Sequence, residues 1–72
     1  MVNTKLLENE IVNSGKKKGF LATRCGLSRQ GFLLKCNNKQ EFTAAEIMVL
    51  CDELKITQLT KKDAIFFARE VE

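Results

Sequence analysis

Apolar residues recur at spacings of three and four along this chain, no β-type alternation interrupts them, and proline is absent, so the pattern predicts an all-α fold. Five short helices follow from it. The first covers residues 5–14, with Leu7 and Ile11 four apart and Gly15 as its stop. A basic connector, Lys16-Lys17-Lys18-Gly19, leads into a second helix over 18–25 that buries Leu21 and Ala22. A third covers 29–36, with Asn37-Asn38 able to take up a left-handed end. Thr43-Ala44-Ala45-Glu46 reads as a capping box opening a fourth helix over 44–54, whose core stripe is Ile47, Leu50, Cys51 and Leu54. Thr60 with Asp63 suggests the same start for a fifth helix over 61–71, carrying Ile65, Phe66, Phe67, Ala68 and Val71. With no repeat and no long linker, residues 1–72 read as a single domain.

The most informative stretch is Leu21-Ala22-Thr23-Arg24-Cys25-Gly26-Leu27-Ser28-Arg29-Gln30-Gly31-Phe32. It predicts two helices held at a fixed angle. Ala22 is small enough for them to approach closely, Gly26 supplies the positive φ of a tight turn, and Ser28 caps the second helix through its hydroxyl. Leu27 and Phe32 wedge that helix against the core, which leaves Arg29, Gln30 and Leu33 on its outer side. A helix presented in this way can enter the major groove of DNA with its N-terminal residues toward the base edges.

Charge sharpens this picture. From Ile11 to Gln40 the chain carries Lys16, Lys17, Lys18, Arg24, Arg29, Lys35 and Lys39 and not one acid, whereas the segments on either side are both net acidic. A basic stretch set in an otherwise acidic chain points to a face for a polyanion.

Other chemistries are poorly served. The chain has no histidine, and its acids fall at helix starts or on faces that read as solvent-exposed, so general acid–base catalysis lacks its usual groups. No nucleophile motif or phosphate-binding glycine loop is present, and the expectation is no enzyme, no cofactor and no small-molecule substrate. Cys25, Cys36 and Cys51 are odd in number and far apart, and each falls on an apolar helical face. They read as reduced core thiols rather than metal ligands. No apolar run approaches the roughly 18 residues of a membrane span, and Met1-Val2-Asn3-Thr4-Lys5 lacks a leader's apolar stretch, so the expected location is cytoplasmic, away from membranes.

Ala22, Gly26-Leu27-Ser28, Phe32 and Asn37-Asn38-Lys39 together resemble the helix-turn-helix of the lambda-repressor and Cro superfamily. The further run Phe32-Leu33-Leu34-Lys35-Cys36-Asn37-Asn38-Lys39 and Glu41-Phe42-Thr43 is similar to small Cro-like phage proteins of Gram-positive bacteria, and the likeness extends over about residues 4–71. It implies a compact five-helix lambda-repressor-like domain and a phage or prophage transcription regulator that binds double-stranded operator DNA, commonly as a two-fold homodimer on half-sites about one helical turn apart. By that resemblance Ser28, Arg29 and Gln30 face the bases, and Lys17, Lys18, Lys35, Asn38 and Lys39 hold phosphates. Arginine can pair with guanine O6 and N7 and glutamine with adenine N6 and N7. Leu33 either meets a thymine methyl or packs on its neighbours.

Two other readings compete. A protein-interaction module on the same scaffold, such as an antitoxin or anti-repressor, would use Leu33-Leu34 and Phe66-Phe67. RNA binding is less well served, since tyrosine and tryptophan are absent. Phe66 and Phe67 are adjacent and cannot share a face, so one belongs to the core and the other, if exposed near Val71, offers a dimer patch.

Overall fold

The computed structural model describes residues 1–69, in which five helices and no strand form: α1 (Thr4–Ser14), α2 (Lys18–Arg24), α3 (Arg29–Cys36), α4 (Ala44–Glu53) and α5 (Leu59–Phe66). None is long and apolar enough to cross a membrane. The all-α expectation holds, and the first four helices begin and end within one residue of their expected bounds.

Local chemistry explains most of these ends. The Asn3 side chain accepts from the Leu6 amide to start α1, and Gly15 closes it in the left-handed conformation at φ 73°. The Ser28 hydroxyl accepts from the Gly31 amide at 3.0 Å, and both halves of the Thr43–Glu46 capping box are present. Beyond α3 and α4 the chain turns through Asn38 (φ 64°) and Lys55 (φ 58°). In each case the following amide reaches back to the helix: Lys39 to the Leu34 carbonyl at 2.9 Å, and Ile56 to that of Cys51 at 2.8 Å. This is the Schellman ending, and it swings Ile56 into the core.

The fifth helix departs from expectation at both ends. It starts at Leu59 after Gln58, which makes no side-chain cap, so Thr60 and Asp63 lie inside the helix rather than capping it. It stops at Phe66, because residues 1–3 take over the bonding groups that another turn would need. The Asn3 amide donates to the Ile65 carbonyl at 2.7 Å, and the Ala68 amide donates to the Met1 carbonyl at 3.0 Å. An α-helical continuation requires that same Ile65 carbonyl for residue 69. Val71, expected at the end of this helix, lies outside the described residues.

The core gathers Leu7 and Ile11 of α1, Leu21 and Ala22 of α2, Phe32 and Cys36 of α3, Ile47 and Leu50 of α4 and Ile65 and Phe66 of α5. Phe42, from the loop before α4, stands edge-on to both Phe32 and Phe66 with ring centroids 6.0 and 5.9 Å away, and so links α3 to α5. Val2 closes the core from the N-terminal side. Packing of α2 on α3 and on α4, and of α1 on α5, completes the arrangement. Among the cysteines Cys36 is buried, while Cys25 and Cys51 are only half-buried at the edge of the core. Burial pushes all three thiols up, Cys36 to about 12, so each stays protonated at neutral pH.

Candidate nucleic-acid interface

The turn between α2 and α3 fixes how α3 is presented. Gly26 takes φ 74°, which a side chain would oppose, and the Leu27 amide returns to the Ala22 carbonyl at 2.9 Å. Ala22 is buried where the helices meet, Phe32 is fully buried beneath α3, and Leu27 packs at the core edge. Ser28, Arg29 and Gln30 are therefore all exposed at the start of α3. Gly31 has a local reason as well. A methyl group there would stand 3.2 Å from Ser28 Oγ, crowding the hydroxyl that caps the helix. Leu33 and Leu34 are half-buried, so neither stands fully free for a partner.

Arg29 shares an open hollow of about 750 Å³ with Lys16, Lys17, Lys18, Gly19 and Phe20. Phe20 is half-exposed on its rim, with the Lys16 ammonium 5.9 Å from its ring centre. The hydrophobic pattern did not single out Phe20, although its adjacency to buried Leu21 was a usable signal that it must face outward.

The seven cations of the acid-free stretch do not form one uniform face. Glu53, at the end of α4 and only 13% exposed, holds two of them, Lys16 Nζ at 2.7 Å and Arg24 Nε at 2.8 Å. Glu46 holds Lys35 at 2.7 Å, and both side chains of that pair are only 12% exposed. The same Glu46 oxygen accepts from the Thr43 amide, so one carboxylate ties the end of α3 to the start of α4. Lys18 meets Glu8 of α1 at 2.9 Å, but in the open, where such a pair contributes at most about 1 kcal/mol. Lys17, Arg29 and Lys39 have no carboxylate partner among the described residues.

These pairs correct the expectation that the acids sit only at helix starts or on solvated faces. Glu53 ends a helix and is largely covered, because two cations neutralise it there. Hydrogen bonds from Lys16 and then Arg24 hold its carboxyl below the usual range. Burial raises Glu46, but hydrogen bonds from Lys35 and Thr43 outweigh it and leave the carboxyl below its ordinary value.

The expected phosphate contacts thus fall into two groups. Lys17 and Lys18 lie together on the hollow beside Arg29, and Lys39 is exposed beyond the end of α3. Lys35 and Asn38 are engaged inside the fold. Asn38 Oδ1 accepts from the Val2 amide at 2.7 Å, and its Nδ2 donates to the Val2 carbonyl at 2.8 Å, clamping the N-terminal segment onto the end of α3. No protein family, curated protein or solved structure matches this chain. Its chemistry is therefore read from the arrangement itself: Lys17, Arg29 and the loosely held Lys18 beside the exposed start of α3, and Lys39 beyond its end, on a helix whose other face is locked into the core. Such an arrangement offers unneutralised positive charge to an anionic partner.

Proposed function

We propose that this chain is a helix-turn-helix transcription regulator of the lambda-repressor-like kind that binds a specific double-stranded DNA site, with α3 in the major groove. One observation carries the reading: Arg29, with Gln30 exposed next to it, opens α3 on the same hollow that Lys17 and Lys18 line. In this reading Arg29 and Gln30 pair with base edges, and Ser28 sets the helix start through its cap while its hydroxyl proton remains free to donate. Lys17, Lys18 and Lys39 bind phosphates, and Glu8 gives up Lys18 at small cost. Lys35 and Asn38 drop out of the contact set, since the fold already employs them.

A protein-interaction module on the same scaffold draws less support from the surfaces first expected of it. Phe66 is buried and Leu33 and Leu34 are half-covered, which leaves Phe67 as the only one of the four that is exposed.

A gel shift on random-sequence duplex in dilute buffer separates the two readings, followed by selection of bound sites from a random pool. The expected result is binding that weakens steeply with salt, and enrichment of a palindrome. A chain that ignores all duplex DNA in dilute buffer overturns the proposal.

A further inference from the structure

Phe20 contributes little to the core. It lies in the first turn of α2, is 48% exposed, and stands outside the cluster of side chains that closes the interior. Its neighbours on the hollow of about 750 Å³ are Lys16, Lys17, Lys18 and Arg29, with Gly19 between them. Lys16 is fixed in place. Its ammonium donates to the Glu53 carboxylate at 2.7 Å and to the Glu53 main-chain carbonyl at 2.8 Å, and it stands 5.9 Å from the centre of the Phe20 ring. The ring is therefore backed by a cation that the end of α4 holds. Gly19 adds space rather than structure. A methyl group there would meet nothing within 4 Å, so no contact of the fold calls for glycine, although glycine weakens a helix by up to about 1 kcal/mol. The outcome is a half-open apolar surface on the same hollow as Lys17, Lys18 and Arg29.

We infer that Phe20 is a specificity-determining residue of the DNA face, its ring packing on the 5-methyl group of a thymine close to the base that Arg29 meets. The inference rests on the DNA reading proposed above. Charge sets the class of partner: whatever covers Phe20 also meets Lys17, Lys18 and Arg29, so it carries negative charge with an apolar group among it. Duplex DNA supplies both. Its phosphates suit the lysines, and each A·T pair presents a thymine methyl on its major-groove edge. Cytosine and uracil lack that methyl, so covering the ring favours thymine without any hydrogen bond. One buried methyl group is worth about fourfold in affinity. Phe20 thus adds to the polar readout by Arg29 and Gln30 an apolar one, carried by α2 rather than by α3.

The test replaces the thymines of the duplex selected by the wild-type chain with deoxyuridine, one position at a time, which removes a methyl group and leaves the base pairing intact. Fluorescence anisotropy at fixed salt reads the affinity of wild type, Phe20→Ala and Phe20→Gln for each duplex. Both variants should keep full helical circular dichroism, since Phe20 lies outside the core and alanine and glutamine suit an exposed helix position. At one position or more, uracil should weaken wild-type binding about fourfold. At that position both variants should bind the thymine and uracil duplexes equally, and sites selected afresh by Phe20→Ala should lose the thymine preference there. A wild type indifferent to every uracil overturns the inference, and so does a uracil effect that persists undiminished in folded Phe20 variants. Either result, with a site preference that still depends on Arg29, leaves the DNA proposal standing. A chain that binds no duplex at all overturns both.

Discussion

The two flanks of the α2–α3 pair both carry cations and use them differently. On the inner flank, facing α4, Lys16, Arg24 and Lys35 are gripped by Glu53 and Glu46, carboxylates that are themselves largely covered. On the outer flank Lys17, Arg29 and Lys39 stand without a partner, and Lys18 is held only by an exposed glutamate. The acid-free run from Ile11 to Gln40 therefore has two causes. Part of it is fold: the acids that neutralise it come from elsewhere in the chain, and their pairing joins the α2–α3 unit to the helices around it. What remains after that pairing is a smaller positive surface, with Lys17, Lys18 and Arg29 beside the start of α3 and Lys39 beyond its end. Counting charges along the sequence overstates the free positive surface, and subtracting the internal pairs locates it.

Asn38, expected at a phosphate, instead clamps Val2 inside the fold. Asn38→Ala loses two hydrogen bonds and places a side chain that resists it in the left-handed region, so it should destabilise the chain by about 3 kcal/mol. Asn38→Gly keeps the backbone conformation and should cost about 2 kcal/mol. Urea denaturation measures both. Equal costs would mean that the left-handed backbone contributes nothing, and an Asn38→Gly protein as stable as wild type would mean that the clamp contributes nothing.

Lys35 draws the sharpest line between the flanks. Lys35→Met keeps most of the side chain's volume but leaves Glu46 short of its main partner, and should cost about 2 kcal/mol of stability. Its binding to duplex DNA, measured by fluorescence anisotropy where the variant is folded, should remain close to wild type. Clear loss of affinity in a folded Lys35→Met sample would return Lys35 to the interface.

Acid tests the inner flank as a whole. Glu46 and Glu53 keep their charge to lower pH in the folded chain than in the unfolded one, so their contribution is complete above the ordinary carboxylate range and fades as the pH falls through their folded values. Thermal melts should show a Tm that is flat near neutrality and falls below about pH 4.5. In Glu46→Gln that acid-side decline should be shallower.

On the outer flank the stability effects reverse. Lys17→Ala and Lys39→Ala should leave stability within about 0.5 kcal/mol of wild type, and each should flatten the salt dependence of duplex binding by about 0.9 in the log–log slope. Unchanged slopes would remove these lysines from the phosphate contacts.

Features that depend on residues a few positions apart were legible in the sequence. The Ser28 cap, the Thr43–Glu46 box, the Gly15 and Gly26 turns and the left-handed Asn37-Asn38 ending each involve only near neighbours, and all appear in the structure. The end of α5 was not legible, because it is set by residues 1–3 arriving from the far end of the chain to bond Ile65 and Ala68. Thr60 and Asp63 form a plausible start that the fold bypasses. For the candidate site, the exposure of Arg29 and Gln30 followed from burying Phe32 and turning at Gly26. The fates of Lys16 and Lys35 did not follow. Their carboxylate partners lie 37 and 11 residues away, and a charge pattern does not say which helices will meet.

Competition between the selected duplex and random duplex, measured for wild type and Arg29→Ala at one fixed salt concentration, tests most directly whether the start of α3 reads DNA. Arg29→Ala should stay folded and bind random duplex only modestly more weakly, while losing about 1–3 kcal/mol of its preference for the selected site. A folded Arg29→Ala protein that keeps the full wild-type preference would contradict the claim that the start of α3 reads DNA.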